Sequence, residues 1–209
     1  MSTEQGNSRP TGGLQIQHQE GGPLNPASGL SGEQNSAPRS KPRRPAQKTN
    51  AARYLDSLGI HYDLREYSVD PEEFSALLVA EKIGLPPEQV FKTLLCSTSE
   101  REHVFAVVPG SDELDFKKLA RACGTRKTEM VSLKEVEPLT GYVRGGVTVF
   151  GARKPFPAYV DETIELFDII SVSAGARGLQ LLLSPQDYLR AANASVAPLT
   201  KDTHPEAQP

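Results

Sequence analysis

The chain has 209 residues, 37% of them hydrophobic, enough for one core of ordinary size. No apolar run approaches the about eighteen residues a membrane span needs, and two cysteines, Cys96 and Cys123, cannot build a disulfide framework. The formal charge is −3, and the four histidines and two cysteines show no zinc-like spacing, so neither a metal nor another cofactor is expected.

Residues 1–47 are rich in Gly, Pro, Ser, Gln and Asn and poor in aromatic and β-branched residues. Such a segment cannot bury enough apolar surface to offset its ordering entropy, which predicts a disordered tail. Residues 1–48 hold six Lys/Arg against three Glu, leaving the remainder of the chain at −6. The cluster "RSKPRRPAQK" reads either as a solvated linker or as an arm that attracts a polyanion such as RNA. The opening "MSTEQGNSRP" lacks the apolar segment of a signal peptide, and with the cysteine usage this sets the expectation of a cytoplasmic protein.

From residue 48 to 195 the pattern predicts a folded domain. "TNAARYLDSLG" has helical spacing and ends on Gly59, and "IHYDLREY" alternates like a half-buried strand. "PEEFSALLVAEKIG" opens on Pro and acids and closes on Gly84, predicting a second helix. "QVFKTLLCS" and "EHVFAVVPG", joined by "TSERE", predict an antiparallel pair. "DFKKLARACG" predicts a third helix. Short strands follow around "VTVF", "AYVD", "DIISVSAG" and "GLQLLL", then a closing helix, "PQDYLRAAN". Residues 196–209 read as a second disordered tail. Helices and strands do not alternate regularly, so the fold class is α+β, with a mixed, mainly antiparallel, barrel-like sheet flanked by helices.

Lys92 interrupts the apolar run "VFKTLL", and lysine is rarely buried without a partner. On a strand, Phe91 and Thr93 face one side while Lys92 and Leu94 face the other. Alone, Lys92 reads as a side chain that snorkels to water. Two glycine loops give it a context. "TGYVRGGVTVFG" centres on Gly145 and Gly146, and "SVSAGARGLQ" places Ser173, Gly175 and Gly178 at a strand end. Paired glycines let backbone amides approach a ligand and form an anion-binding nest. Together these features suggest a polar cleft for an acyl or phosphate group.

The blocks "VFKTLL", "FAVVPGSDELDFKKLARACG", "TGYVRGGVTVFG" and "SVSAGARGLQLLL" resemble, in order and spacing, the YbaK/ProX family of aminoacyl-tRNA deacylases. The resemblance covers roughly residues 50 to 192 and is closest to the YbaK (EbsC-like) branch, which removes cysteine from mischarged tRNA(Pro). It implies trans-editing in which Lys92 is the essential cation and Gly145 and Gly146 supply backbone donors. It implies a substrate pocket containing Tyr67, Phe74, Thr93, Ser173, Gly175 and Gln180, with Arg177 in the same block. The implied partners are the acceptor end of tRNA(Pro) and, as a candidate, prolyl-tRNA synthetase. Three departures stand out: Gln180 where relatives carry an acid, Val149 in place of a loop proline, and Ala174 and Ala176 in place of a glycine and a lysine. Alternatives are ProX-type editing of alanine or another small amino acid, and a regulator that binds aminoacyl-tRNA without cleaving it.

RNA contact is expected from Lys117, Lys118 and Arg121 on the third helix, followed by Arg126 and Lys127. Arg144, Arg153 and Lys154 are expected beside the cleft. Without family context the helix cations read as an ordinary solvated face. No Ser–His–Asp or Cys–His nucleophile is apparent. Because residues 1–47 offer nothing to a core, their deletion is expected to leave the thermal midpoint within a few degrees of the full chain. A larger fall in a melting curve would refute that reading.

Overall fold

A computed structural model describes residues 48–69 and 75–202. The expected tail over residues 1–47, the predicted start of the second helix and Phe74 lie outside the described residues.

Five helices of eight residues each are described: α1 Asn50–Ser57, α2 Ala76–Ile83, α3 Phe116–Cys123, α4 Leu133–Thr140 and α5 Pro185–Ala192. An isolated helix this short is marginal in water, so caps and packing must hold it. Side chains of Thr49, Ser75, Asp115 and Ser184 accept backbone N–H groups at the starts of α1, α2, α3 and α5. Gly84 and Gly124 end α2 and α3 in the left-handed region.

Eight strands form one mixed sheet: β1 Asp63–Glu66, β2 Val90–Thr98, β3 His103–Pro109, β4 Thr128–Met130, β5 Ala158–Asp161, β6 Ile170–Ser173, β7 Leu179–Leu183 and β8 Ser195–Ala197. Their order is β1-β7-β6-β2-β3-β5-β8, with β4 also paired to β2. The β1–β7, β6–β7, β2–β3 and β2–β4 pairs are antiparallel, and β2–β6, β3–β5 and β5–β8 are parallel. The architecture is the expected α+β class with a mixed sheet. The path of paired strands is open among the described residues, running from β1 to β8 without closing into a barrel.

The sheet is buried on both faces, which accounts for the unbroken apolar run of β3. Phe91, Val107, Val172 and Leu181 pack on one face with Leu55 of α1 and Tyr188 of α5. Val104, Ala106 and Val108 pack on the opposite face with Leu119 of α3.

Four features depart from the sequence reading. The "VTVF" segment is not a strand: Tyr142 donates its hydroxyl to Phe150 O at 2.6 Å, folding residues 142–150 into a loop instead of a ladder. Helix α4 was hidden by Pro138, an unusual residue inside a helix. Its start carries a capping-type Ser132-x-x-Glu135 pattern, with the Ser132 hydroxyl donating to Glu135 at 2.6 Å. The three-residue β4 is too short to leave a periodic signal. The expected tail from residue 196 is a correction: β8 pairs with β5, and Leu199 is fully buried. Buried Asp161 explains this placement. Its carboxylate accepts the amides of Leu199 at 2.8 Å and Thr200 at 3.1 Å, as well as the Thr163 hydroxyl at 2.7 Å. Lone Leu199 after Pro198 gave no periodicity to read. Residues 203–209 lie outside the described residues.

Burial pushes the Tyr188 hydroxyl above its ordinary range, with a small opposing pull from the neighbouring Thr93 side chain. Neither hydroxyl has a hydrogen-bond partner of proper geometry among the described residues. A buried hydroxyl without a partner costs stability, so Tyr188→Phe is expected to be neutral or stabilising by up to about 1 kcal/mol. Urea unfolding checks this, and a loss of more than about 1 kcal/mol would show that the hydroxyl is satisfied.

Candidate active site

Strand β2 carries β3 along one edge, from Phe91 to Ser97. Strand β6 pairs with Val90 and Phe91, and β4 pairs with Cys96 to Thr98, so these two must share the other edge. Between them, Lys92 to Leu95 have no strand partner on that edge among the described residues; Val131 N–H bonds Leu95 O there, at 3.0 Å. This gap lets side chains from both faces of β2 meet one space. A cavity of about 620 Å³ there is lined by Lys92, Thr93, Arg144, Gly145, Ser173 and Gln180, among others.

Lys92 is half-buried, and its ammonium donates to Asp112 O at 2.6 Å and Gly110 O at 3.2 Å. Among the described residues it makes no ion pair. Burial lowers its pKa from the usual lysine value, and the charges of Asp112 and Glu113 pull it partly back. Two carbonyls thus fix the cation without neutralising it. Gly110 and Asp112 escaped the sequence reading because a carbonyl acceptor has no residue signature. The turn-like "PGSDE" after β3 was the available cue.

The two glycine loops dock on each other. Arg177 Nε donates to Arg144 O at 2.7 Å, and a Cβ on Gly146 would lie 3.4 Å from the Ala176 backbone. Gly175 adopts φ +87°, and a Cβ there would approach the Tyr142 ring to 2.9 Å. Tyr142 joins the two loops, and burial pushes its hydroxyl up to about 12. The paired donors expected of Gly145 and Gly146 need correction: the Gly146 amide is spent on Val143 O at 2.9 Å. No hydrogen bond engages the Gly145 amide among the described residues, and Gly145 borders the cavity.

Ser173 and Gln180 are cross-strand partners of β6 and β7. Ser171, fully buried on the same face, donates its hydroxyl to Gln180 Oε1 at 3.1 Å. That bond turns the Gln180 amide nitrogen away from Ser171, and the neutral Gln180 side chain borders the cavity. Tyr67 packs with Ile83 and Val90 beside the cavity instead of lining it, and its amide donates to Gly178 O at 3.0 Å.

The expected RNA-facing cations divide. Lys117 and Arg121 are exposed on α3. Lys118 is instead occupied, donating to Thr200 O at 2.7 Å and Asp202 at 2.6 Å. Arg153 is turned to Pro138 O at 3.1 Å, Lys127 pairs with Glu129, and neither Arg153 nor Lys154 lines the cavity. Two charged residues at the cavity were not anticipated: Glu113 and Lys201, which pair at 2.6 Å.

A possible protein nucleophile is poorly served. Cys96 is fully buried, and desolvation pushes its thiol up to about 12. Burial also raises Cys123.

The chain belongs to the aminoacyl-tRNA editing domain family, which it matches over residues 70–191. It is 40% identical over 158 residues to EbsC of Enterococcus faecalis, named as a candidate Cys-tRNA(Pro)/Cys-tRNA(Cys) deacylase, covering 76% of this chain and 96% of that protein. It is 30% identical over 118 residues to the multifunctional Ser/Thr-tRNA deacylase ProXp-y of Escherichia coli, covering 54% and 71% respectively. A solved structure described as a candidate trans-editing enzyme for prolyl tRNA synthetase has a TM-score of 0.64 at 26% identity, covering 71% of this chain and 93% of that one.

Gly110 is the tightest point behind the site. A Cβ there would fall 2.8 Å from Ala76 Cβ and 2.9 Å from Val90 O, and its own carbonyl holds Lys92. Gly110→Ala is therefore expected to lower the thermal midpoint and displace the Lys92 ammonium. A variant with unchanged midpoint in a melting curve and an unchanged Lys92 NMR signal would contradict this.

Proposed function

We propose that this protein cleaves the ester of a mischarged aminoacyl-tRNA in trans, with Cys-tRNA(Pro) as the preferred substrate and Lys92 as the essential cation. The observation that carries this reading is the half-buried Lys92 ammonium, fixed by two backbone carbonyls and without an ion pair among the described residues, on a cavity bordered by Gly145, whose amide has no partner among them. Family membership and the deacylase names of its relatives support the reaction class.

An aminoacyl ester is already activated, so the reaction does not demand a protein nucleophile. Buried Cys96 is poorly suited to serve as one. In the substrate-assisted route, the sulfur of the substrate cysteine attacks its own ester carbonyl. The carbonyl oxygen becomes an oxyanion, the ribose oxygen leaves with a proton, and the amino acid departs as a thiolactone that water opens. Lys92 stabilises the developing oxyanion or holds the terminal nucleotide, with the Gly145 amide as a second donor. Holding thiol and ester together supplies much of the rate by proximity.

Gln180 favours a second reading of specificity. A neutral amide, oriented by Ser171, borders the cavity where the resemblance led us to expect an acid. A small polar or neutral side chain, as in ProX-type editing, suits that wall. The acceptor end of tRNA would approach over the exposed cations Arg144, Lys117 and Arg121.

Single-turnover deacylation of Cys-, Ala-, Ser- and Pro-tRNA(Pro) tests the proposal. Cys-tRNA(Pro) is expected to react fastest; preference for alanine or serine would move the protein to the second reading. Lys92→Ala should fold normally and lose about 10²–10³ in rate on every substrate, the usual cost of one electrostatic donor. Lys92→Arg should rescue poorly, because a planar guanidinium cannot reproduce the bond geometry of an ammonium. A folded Lys92→Ala variant retaining more than about a tenth of the rate would refute the catalytic assignment.

A further inference from the structure

The segment that holds Lys92 is itself held from elsewhere in the chain. Gly110 is pinned by its amide to Val90 O at 2.6 Å, beside Lys92 on β2. Asp112, whose carbonyl makes the shorter bond to Lys92, is followed directly by a stretch laddered to residues 199–201. Lys201 N–H bonds Glu113 O at 2.9 Å, Asp115 N–H bonds Leu199 O at 2.7 Å, and Leu114 bridges Thr200 in antiparallel register. At its other side this strap is anchored by Asp161, whose buried carboxylate accepts both the Leu199 and Thr200 amides. Lys118 of α3 clamps its end through Thr200 O and Asp202.

We propose that residues 198–202 form a positioning strap, anchored on Asp161, that sets the Asp112 carbonyl and thereby the Lys92 ammonium. The inference rests on Lys92 being the cation of the site. The chain of contacts is continuous: Asp161 carboxylate, Leu199 and Thr200 amides, the 113–115 ladder, Asp112 O, Lys92 Nζ. Each link is a hydrogen bond, a bridge or one covalent step. The strap also brings a charged group to the cavity, since Lys201 pairs with Glu113 on its wall. Asp161 and Thr200 are positioning residues, because neither lines the cavity.

The arrangement separates two kinds of damage. Loosening the strap should leave the walls supplied by β2, β6 and β7 and the exposed cations of α3 in place, with Lys201 the one lining residue it carries, so substrate binding persists while the cation drifts. A displacement of about 1 Å in a catalytic group can cost up to 10²-fold in rate. Thr200→Pro removes one amide from Asp161 while leaving Leu199 in the core. Truncation after Pro198 removes the strap but retains β8. Both are compared with the full chain by steady-state kinetics, circular dichroism and the NMR signal of the Lys92 ammonium.

The expected result is a folded protein, a Lys92 signal shifted or lost to faster solvent exchange, and kcat reduced about 10- to 10²-fold with KM within about twofold. Thr200→Pro should show the smaller change in the same direction, and it decides the matter if the truncated chain fails to fold. An unchanged Lys92 signal in folded Thr200→Pro, or kcat at the full-chain level, overturns the strap proposal. Lys92→Ala run in parallel keeps the outcomes distinct: if it remains active, the parent reading fails; if it is inactive while the strap variants are normal, only the strap inference fails.

Discussion

A single constraint organises the site: an ammonium drawn partly out of water must be given partners without being neutralised. Lys92 meets it with two backbone carbonyls, Gly110 O and Asp112 O. A carboxylate would bind the ammonium more tightly, but it would cancel the charge the cavity presents. Carbonyl dipoles orient the group and leave its field available to a ligand. Glu113, an acid on the cavity wall, is paired with Lys201, whose bond to it is also the main cause of its lowered pKa.

That constraint explains why the sheet is interrupted where it is. A fully paired central strand would offer neither space nor access beside Lys92. Strand β2 is paired with β3 from Phe91 to Ser97, but on its other edge β6 and β4 leave Lys92 to Leu95 without a strand partner among the described residues. The glycine loops help to line the opening. Gly175 and Gly146 permit the close approaches that let Tyr142, Arg144, Ala176 and Arg177 lock the loops together. The rigid part of the site is therefore the strand, and the shape of the cavity is set by how two loops dock.

Most of this fold was legible where burial repeats with a period. The segments at β2, β3, α3, β7 and α5, among others, follow from apolar spacing, polar caps and glycine stops. What escaped was held by interactions without periodicity. Helix α4 contains Pro138, and the strap depends on one leucine and a distant carboxylate. The loop at "VTVF" alternates like a strand, but a tyrosine hydroxyl claims the carbonyl of Phe150. At the site, Lys92, Gly145, Ser173 and Gln180 were visible as side chains or as glycines. Gly110 and Asp112 act through main-chain oxygens, which any residue possesses. The Gly146 amide, bonded to Val143 O, differs from the expectation for a related reason, since a sequence shows that an amide exists and not what it already bonds.

Charge and specificity have different origins here. The chain from residue 49 onward carries −6, so a polyanion is not drawn to this surface by net charge. Attraction must be local, from Arg144 and Lys92 at the cavity and from the exposed face of α3. Those cations can hold phosphate and acyl oxygen, but they cannot distinguish one amino acid from another. The remaining walls are largely apolar, with Phe91, Leu95 and Val136 among them. An apolar wall separates ligands differing by one methylene by only about 1–3 kcal/mol, whereas an oriented polar group discriminates far more strongly. Gln180, its carbonyl committed to Ser171 and its side chain bordering the cavity, is such a group, and an acid at the same position would be one of opposite character. On the function proposed above, the reaction class rests on the fixed cation, and the choice of amino acid falls to the wall formed by β6 and β7.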